Sequence, residues 1–334
     1  LMLDRGNGIP TNKKEAAKYL KMAADLGYSD AILRYAIMCD EGDGIEVNKV
    51  ESAKYYKKLA DKGFADGMFN YGIQLDKGEG VPMNKKEAAK YFKMAADKGI
   101  TKAMLKYALL VDQEKDIGIN RSEAAKYYKK SADKGNKTAM INYAYMAYNG
   151  DGMPLNKKEA SLYYKKAGEK GIADALYNYA LMLFEGDGIP SNKKEAAKYF
   201  RRAADGNSPE AMYNLALMLH MGDGIPMNKK EAAKFFKMAA DNGIVSSMLS
   251  YASMLCQGDG ITENKTEGAV YFKMAADNGD SKAMFTFGYM NEEGDGIPVD
   301  KSTAAKYYKM AADLGNDEGM VNYAFLVLKG EGVE

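Results

Sequence analysis

The chain has 334 residues, 47 Lys and Arg against 46 Asp and Glu, a formal net charge of +1 and 46% hydrophobic residues. It is too apolar for a disordered segment and too evenly charged to present a general field to nucleic acid or a membrane surface. One His, two Cys and no Trp leave little for metal or nucleophile chemistry, and no apolar run approaches the roughly 18 residues that suggest a membrane span.

A chain of this length exceeds what one hydrophobic core usually serves, so several domains or a repeat array are expected. Internal similarity selects the array. The string Asn-Lys-Lys-Glu-Ala-Ala-Lys-Tyr starts at Asn12 and returns every 36 residues, with its first position at Asn48, Asn84, Asn120, Asn156, Asn192, Asn228, Asn264 and Asp300. About nine units fit in residues 1–334, and the register has no insertion or deletion. The first element is a fragment: Leu1 to Arg5 align with Ile37 to Glu41, the second half of a helix, and Glu334 falls just before the next cap. End repeats normally carry a polar outer face, so the chain reads as a single array cut mid-repeat at both ends, part of a longer polypeptide.

From Asn12 a helix begins. An Asn side chain at an N-cap accepts from the free amides of the first turn, and Glu15, Glu51, Glu87, Glu123, Glu159, Glu195, Glu231 and Glu267 follow three residues later, a capping-box pattern that Thr303 alone breaks. Ala16, Leu20 and Ala23, later Ala88, Phe92 and Ala95 or Ala196, Phe200 and Ala203, form its apolar face. Lys13, Lys14, Lys18 and Lys21 form the opposite, solvated face. Gly27, Gly63, Gly99 and Gly135 end it where a left-handed residue is wanted.

The second helix is expected from Asp30 to Glu41, recurring as Asp66 to Lys77, Asp174 to Glu185 and Glu210 to Met221. Its buried set is position 32 (Ile32, Met68, Met104, Met212), position 35 (mostly Tyr, as Tyr71 and Tyr143) and position 39 (Leu75, Leu183, Leu255). Position 36 is Ala or Gly throughout, which marks a tight helix crossing. Turns such as Gly42-Asp43-Gly44 supply positive φ, and Pro10, Pro82, Pro154, Pro190, Pro226 and Pro298 set the chain extended before the next cap. One or two carboxylates per turn are too few for calcium. Between Gln113 and Gly118 this turn chemistry is replaced by charged residues, and a local change of twist is expected there.

Ala175-Leu-Tyr-Asn-Tyr-Ala-Leu-Met-Leu with the Gly186-Asp-Gly turn, followed by Asn192-Lys-Lys-Glu-Ala-Ala-Lys-Tyr-Phe, resembles the SEL-one-like repeat (SLR) family, a relative of the tetratricopeptide repeats. The resemblance covers essentially the whole chain and implies an all-α fold, a right-handed α/α superhelix of 36-residue helix-turn-helix repeats. It also implies adaptor and scaffold roles, as in ubiquitin-ligase assemblies of the endoplasmic reticulum, regulators of chitin synthase and bacterial signalling proteins. Cysteine-rich bacterial members staple each repeat with a Cys pair, which this chain lacks.

No catalytic, metal-binding or cofactor-binding residues are assigned. Cys39 and Cys256 stand six repeats apart, too far for a disulfide, which needs Cα atoms within about 7 Å, and no phosphate loop or metal motif occurs. The lack of Cys pairs favours a reducing, cytoplasmic compartment. The triplets beginning at Asn120, Asn136 and Asn264 would suit the lumen of the endoplasmic reticulum, but Asn120 and Asn264 are caps.

Tetratricopeptide geometry would put positions 30, 33, 34, 37, 40 and 41 of the second helix on the concave side. Position 34 is polar in every repeat and mostly Asn; an Asn ladder can grip a peptide backbone, or it can simply bond neighbouring turns. Position 37 is mostly apolar, forming either an exposed stripe that marks an interaction site or a row tucked into the inter-helix core. The central repeats concentrate the pattern as Asn142, Tyr145 and Tyr148, then Asn178, Leu181 and Phe184, then Asn214, Leu217 and His220. These are expected to form the floor of a groove for a protein or peptide partner, within a larger complex, with no nucleic acid and no membrane insertion. The alternatives are a structural spacer or lattice component, and the regulatory arm of an enzyme lying outside this segment.

Overall fold

The computed structural model describes residues 11–114 and 118–332. Among them are eighteen α-helices of thirteen residues each and no strand. Contacts divide the chain into two compact units, residues 1–163 and 164–334. The first holds α1 (Lys13–Asp25), α2 (Ser29–Glu41), α3 (Lys49–Asp61), α4 (Ala65–Lys77), α5 (Lys85–Asp97), α6 (Thr101–Gln113), α7 (Arg121–Asp133) and α8 (Lys137–Asn149). The division falls within α9 (Lys157–Glu169). The second unit continues with α10 (Ala173–Glu185), α11 (Lys193–Asp205), α12 (Pro209–Met221), α13 (Lys229–Asp241), α14 (Val245–Gln257), α15 (Lys265–Asp277), α16 (Ser281–Glu293), α17 (Lys301–Asp313) and α18 (Asp317–Lys329). Odd-numbered helices begin at the Asn series. The even-numbered ones start one residue earlier than expected, at Ser29, Ala65, Ala173 and Pro209. Leu1 to Arg5, Pro10 and Glu334 lie outside the described residues.

The caps depart from a reciprocal capping box. Asn84 Oδ1 accepts from the Glu87 amide at 3.0 Å as expected. The Asn84 backbone N–H, however, donates to the Leu75 carbonyl at 2.8 Å, so it is unavailable to Glu87. The Glu side chain instead accepts from the Asn amide, as Glu15 Oε2 does from Asn12 Nδ2 at 3.0 Å. At the exception, Asp300 accepts from both the Thr303 amide and the Thr303 hydroxyl, so each carboxylate faces a donor. We expect Asn84→Ala to cost about 1 kcal/mol in urea denaturation. Asn84→Asp alone should also destabilise, by setting two carboxylates together, and adding Glu87→Thr should recover the loss.

Within each unit the hairpins interlock through repeated aromatic contacts. Position 35 meets the ring twenty residues on edge-to-face, at centroid separations of 5.0 Å for Tyr35–Tyr55 and 4.7 Å for Tyr107–Tyr127 in the first unit. In the second unit Tyr179–Tyr199 stand at 4.8 Å and Tyr251–Tyr271 at 4.9 Å. Such pairs contribute about 0.5–1.5 kcal/mol beyond their buried area. The small residue at position 36 is required by the same crossing: a Cβ on Gly72 would lie 2.9 Å from the Phe92 ring, and one on Gly288 2.9 Å from Tyr308.

Neighbouring capped helices are tied by links thirty residues long. Tyr127 donates to Asp97 at 2.5 Å, Tyr271 to Asp241 at 2.7 Å and Tyr307 to Asp277 at 2.8 Å. Lys21 pairs with Glu51 at 2.7 Å, Lys93 with Glu123 at 2.9 Å and Arg201 with Glu231 at 2.6 Å. The lysine face is therefore partly neutralised, although exposed pairs of this kind contribute only about 0–1 kcal/mol each.

The Gly-x-Gly turns carry a constraint beyond positive φ. The first Gly is the helix C-cap, as Gly42 is at φ 78°. The second lies against the start of the preceding capped helix: a Cβ on Gly80 would stand 2.0 Å from the Lys49 carbonyl oxygen, and one on Gly44 2.3 Å from Lys13 Cβ. Where the Gly27 series skips a residue, Asn207 takes the left-handed position at φ 66°. In the unusual 113–118 turn, residues 115–117 lie outside the described residues. On either side of them, α6 ends on an extended Glu114 in place of a left-handed Gly. Asn120 then adopts φ −69° and caps Ser122 where the other Asn residues cap the amide three residues on.

Candidate functional site

In the first unit α8 carries the first set of candidate residues. Asn142 is half-buried and reaches the Tyr128 hydroxyl, whose pKa is raised chiefly by burial and further by Asp112. Tyr145 is 57% exposed, so it is not a core residue. Tyr148 is half-buried, with Lys157 Nζ 4.9 Å above its ring.

In the second unit α10 carries Asn178, Leu181 and Phe184, all half-buried. Phe184 leans on Phe200 at 6.4 Å, with Lys193 Nζ 5.0 Å from its centroid. On α12, Asn214 Nδ2 donates to the Glu210 carbonyl at 2.9 Å, and Leu217 is half-buried. Ser250 and Thr286 likewise bond the carbonyl four residues back. At Asn214, Ser250 and Thr286 the position-34 side chain thus serves its own helix turn, and the Asn214 amide group also reaches the Tyr177 hydroxyl, which leaves its amide oxygen. Position 37 is open to solvent to some degree in every repeat, from the half-buried Ile37 and Leu109 to the exposed Tyr289 and Phe325.

Position 40 has a partner that sequence reasoning missed. The first residue of each odd-numbered helix is Lys or Arg, and at Lys49, Arg121, Lys157 and Lys193 this cation packs against position 40 of the preceding helix. At Asp40 and Asp112 the contact is an ion pair, Lys49–Asp40 at 3.0 Å and Arg121–Asp112 at 2.5 Å, whereas Glu292 accepts from the Tyr308 hydroxyl at 2.7 Å. Tyr148 and Phe184 offer the same cation a ring face, a cation–π contact of about 0.5–1 kcal/mol at such exposure. The invariant basic residue after the cap was the available signal. The same cation also reaches the acid of the next turn, Lys193–Asp223 at 2.7 Å and Lys265–Asp295 at 2.7 Å, which gives the turn aspartates a structural role.

His220 completes the α12 set. Its Nε2 lies 2.8 Å from Asp259 Oδ2, while Lys229 Nζ is 2.6 Å from Oδ1. The bonds from Lys229 and then His220 hold the Asp259 carboxyl below the usual range. A depressed folded-state pKa contributes stability above the unfolded value of about 3.9 and loses it as pH falls through the lower folded value. Asp259→Asn should therefore be less stable than wild type at pH 7, and the urea midpoints should converge as the pH falls through the lowered folded-state value. An undiminished difference at low pH would assign the effect to packing.

No group of three or more His, Cys, Asp or Glu able to hold a metal ion occurs among the described residues, and no described helix is long and apolar enough to cross a membrane. Cys39 and Cys256 are both free thiols. What this geometry offers is hydrogen-bonding and apolar surface at regular spacing.

Like hairpins packed in sequence, each presenting the same positions to solvent, define an α-solenoid. The Sel1 repeat matches residues 1–28, 29–64, 65–100, 101–136, 137–172, 173–208, 209–244, 245–280 and 281–316, and the chain belongs to the Sel1-repeat family. Its fold is similar to that of a protective antigen of uropathogenic Escherichia coli displaying an SLR fold, with a TM-score of 0.81 and 24% identity over 100% of this chain and 71% of that one. It is also similar to a Sel1 repeat protein from Oxalobacter formigenes, with a TM-score of 0.74 and 24% identity over 92% and 89% of the two chains. A search of curated proteins returned no match. Repeats of this family generally mediate protein–protein interactions, and their solenoids are typically non-enzymatic scaffolds.

Proposed function

We propose that this protein is an interaction scaffold that binds a partner polypeptide through Asn142, Tyr145 and Tyr148 of α8 in the first unit and through Asn178, Leu181, Phe184, Asn214, Leu217 and His220 of α10 and α12 in the second. The carrying observation is position 37. A helix packed on both flanks has no folding reason to set apolar residues toward solvent repeat after repeat, yet Tyr145 is 57% exposed and Leu181 and Leu217 are only half-buried. Apolar and aromatic side chains on an accessible face, flanked by polar groups, are the usual anchors of protein recognition. The amide oxygen that Asn214 leaves free adds an acceptor for a partner backbone.

The test compares partner capture by the wild-type protein and by a Tyr145→Ser, Phe184→Ser, Leu217→Ser variant. Because Phe184 leans on the core, thermal melts accompany both, and a Tyr145→Ser, Leu217→Ser variant serves if the triple one unfolds. Loss of specific partners from a folded variant is expected. Recovery of the same partners would remove these residues from the binding surface.

A further inference from the structure

A second surface lies in the unit formed by residues 164–334, on the other side of α12. Residues two apart on a helix point about 200° apart, so Leu215 and Leu219 face away from Leu217. There, between α11 and α13, is a cavity of about 540 Å³. Ala197, Leu215, Leu219 and Ile225 form its floor, and Lys194, Lys198, Arg201 and Arg202 stand along its rim.

The equivalent place one repeat on, between α13 and α15, has the same volume, about 540 Å³, so chemistry and not size separates the two. In that neighbour the floor residue is Tyr251, 3.3 Å from Glu267 through its hydroxyl. Its rim cation Lys237 is tied to Tyr271 at 2.6 Å and Asp241 at 3.0 Å, and Glu263 and Glu267 both line it. The first cavity breaks this pattern in three ways. Leu215 is the one non-aromatic residue at position 35, and the ring it packs toward is Phe235 where other repeats have Tyr, so the floor carries no hydroxyl. Glu231 is the only lining carboxylate, and it is engaged by Arg201 at 2.6 Å and Asn228 at 3.2 Å. Arg202 replaces the neighbour's Met238 and lies 5.3 Å over the Tyr199 ring without a carboxylate partner.

The cations are set in a line. Residues 194 to 202 span about 12 Å of helix at 1.5 Å per residue, which an extended polypeptide covers in about four residues. A compact anion would reach one or two of these groups; an extended acidic segment reaches the row. We propose that this cavity docks an extended acidic segment of a partner protein, with one bulky apolar side chain of that segment seated on Leu215, Leu219 and Ile225 and its carboxylates on Lys194 and Arg202, Lys198 between them being paired with Glu195 at 3.1 Å. Guanidinium groups beside an apolar recess suit both halves of such a ligand.

The test measures fluorescence anisotropy of a dye-labelled pentapeptide, Asp-Glu-Phe-Glu-Asp, against the full chain, with Asp-Glu-Ser-Glu-Asp as the second probe. The Phe probe should bind at least about tenfold more tightly, the ratio that corresponds to about 1.4 kcal/mol. Arg202→Met and Leu215→Tyr, which install the residues of the adjacent repeat, should each weaken it by about tenfold. Arg202 is exposed, so its variant keeps the test open if Leu215→Tyr is poorly folded. Leu217→Ser should leave the affinity unchanged, which separates this site from the face proposed above. Equal binding of the two probes, wild-type affinity in Arg202→Met, or binding of anionic phospholipid vesicles in place of the peptide would overturn the proposal.

Discussion

Gly80→Ala is expected to destabilise the unit formed by residues 1–163 by about 3–5 kcal/mol, in the range of the most damaging point substitutions. Two independent costs act at this residue. Its φ of 73° is left-handed, which costs a residue with a Cβ about 1–2 kcal/mol. The added carbon would also stand 2.0 Å from the Lys49 carbonyl oxygen and 2.8 Å from the Val50 amide nitrogen. These are backbone atoms at the start of α3, so no side-chain rotation relieves the overlap and the turn must leave the helix. Moving the turn also strains the ion pair from Lys49 to Glu79. Urea denaturation should show the loss, and hydrogen exchange should show lost protection concentrated in α3 and α4, because stability in stacked repeats is a sum of local terms. By contrast, Gly63→Ala meets no atom within 4 Å and should cost only the backbone part. Equal losses for the two variants would show that the close approach contributes nothing.

The second large effect is expected at Phe200, which is fully buried. Its ring packs against Tyr177 at 5.9 Å and Phe184 at 6.4 Å, within the core cluster of the second unit. Phe200→Ala removes a whole ring from a core cluster rich in alanine, Ala180 and Ala216 among its members, and alanines have nothing to extend into a gap. A loss of about 3–5 kcal/mol is the usual result for such a truncation, with Phe200→Leu losing less because more of the volume is kept. The substitution has a functional consequence as well. Phe184 depends on Phe200 for its floor, so a protein that remains folded at low temperature should bind its partner more weakly although Phe200 is itself inaccessible. Urea midpoints and partner affinity measured on the same preparation check both halves; unchanged affinity in the folded variant would separate Phe184 from the binding face.

Much of the fold was legible because its signals are local. Asn at a cap followed by Glu, small residues at position 36 and Gly after each helix act within a few residues, and repetition through nine registers averages out chance. The single-residue error at the starts of α2, α4 and α10 has the same origin. Tyr28, Phe64 and Ile172 cap those helices with extended backbone and no side-chain bond, so no polar cap residue announces the start. At α12 the polar cap Ser208, which accepts from the Ala211 amide, and Pro209 behind it were signals that sequence reasoning missed. The candidate binding residues were legible as a pattern of spacing, while their accessibility was not. Position 37 reads as apolar in either a core or an exposed stripe, and only the crossing of flanking helices leaves Tyr145 in solvent.

Helix type, length and order in this protein follow from amino-acid chemistry acting over one or two turns, which is why a period of 36 residues carries them. The links between Lys193 and Phe184, Tyr271 and Asp241, and Gly80 and the backbone of Lys49 emerge only on packing. Each joins atoms of two different helices or of a turn and a helix, and whether they meet depends on how ridges of one helix settle into the grooves of another. The Leu215 cavity has the same origin: the recess between successive capped helices recurs one repeat on with Tyr251 at its floor, and a single Tyr-to-Leu departure in the pattern changes its chemistry and not its size.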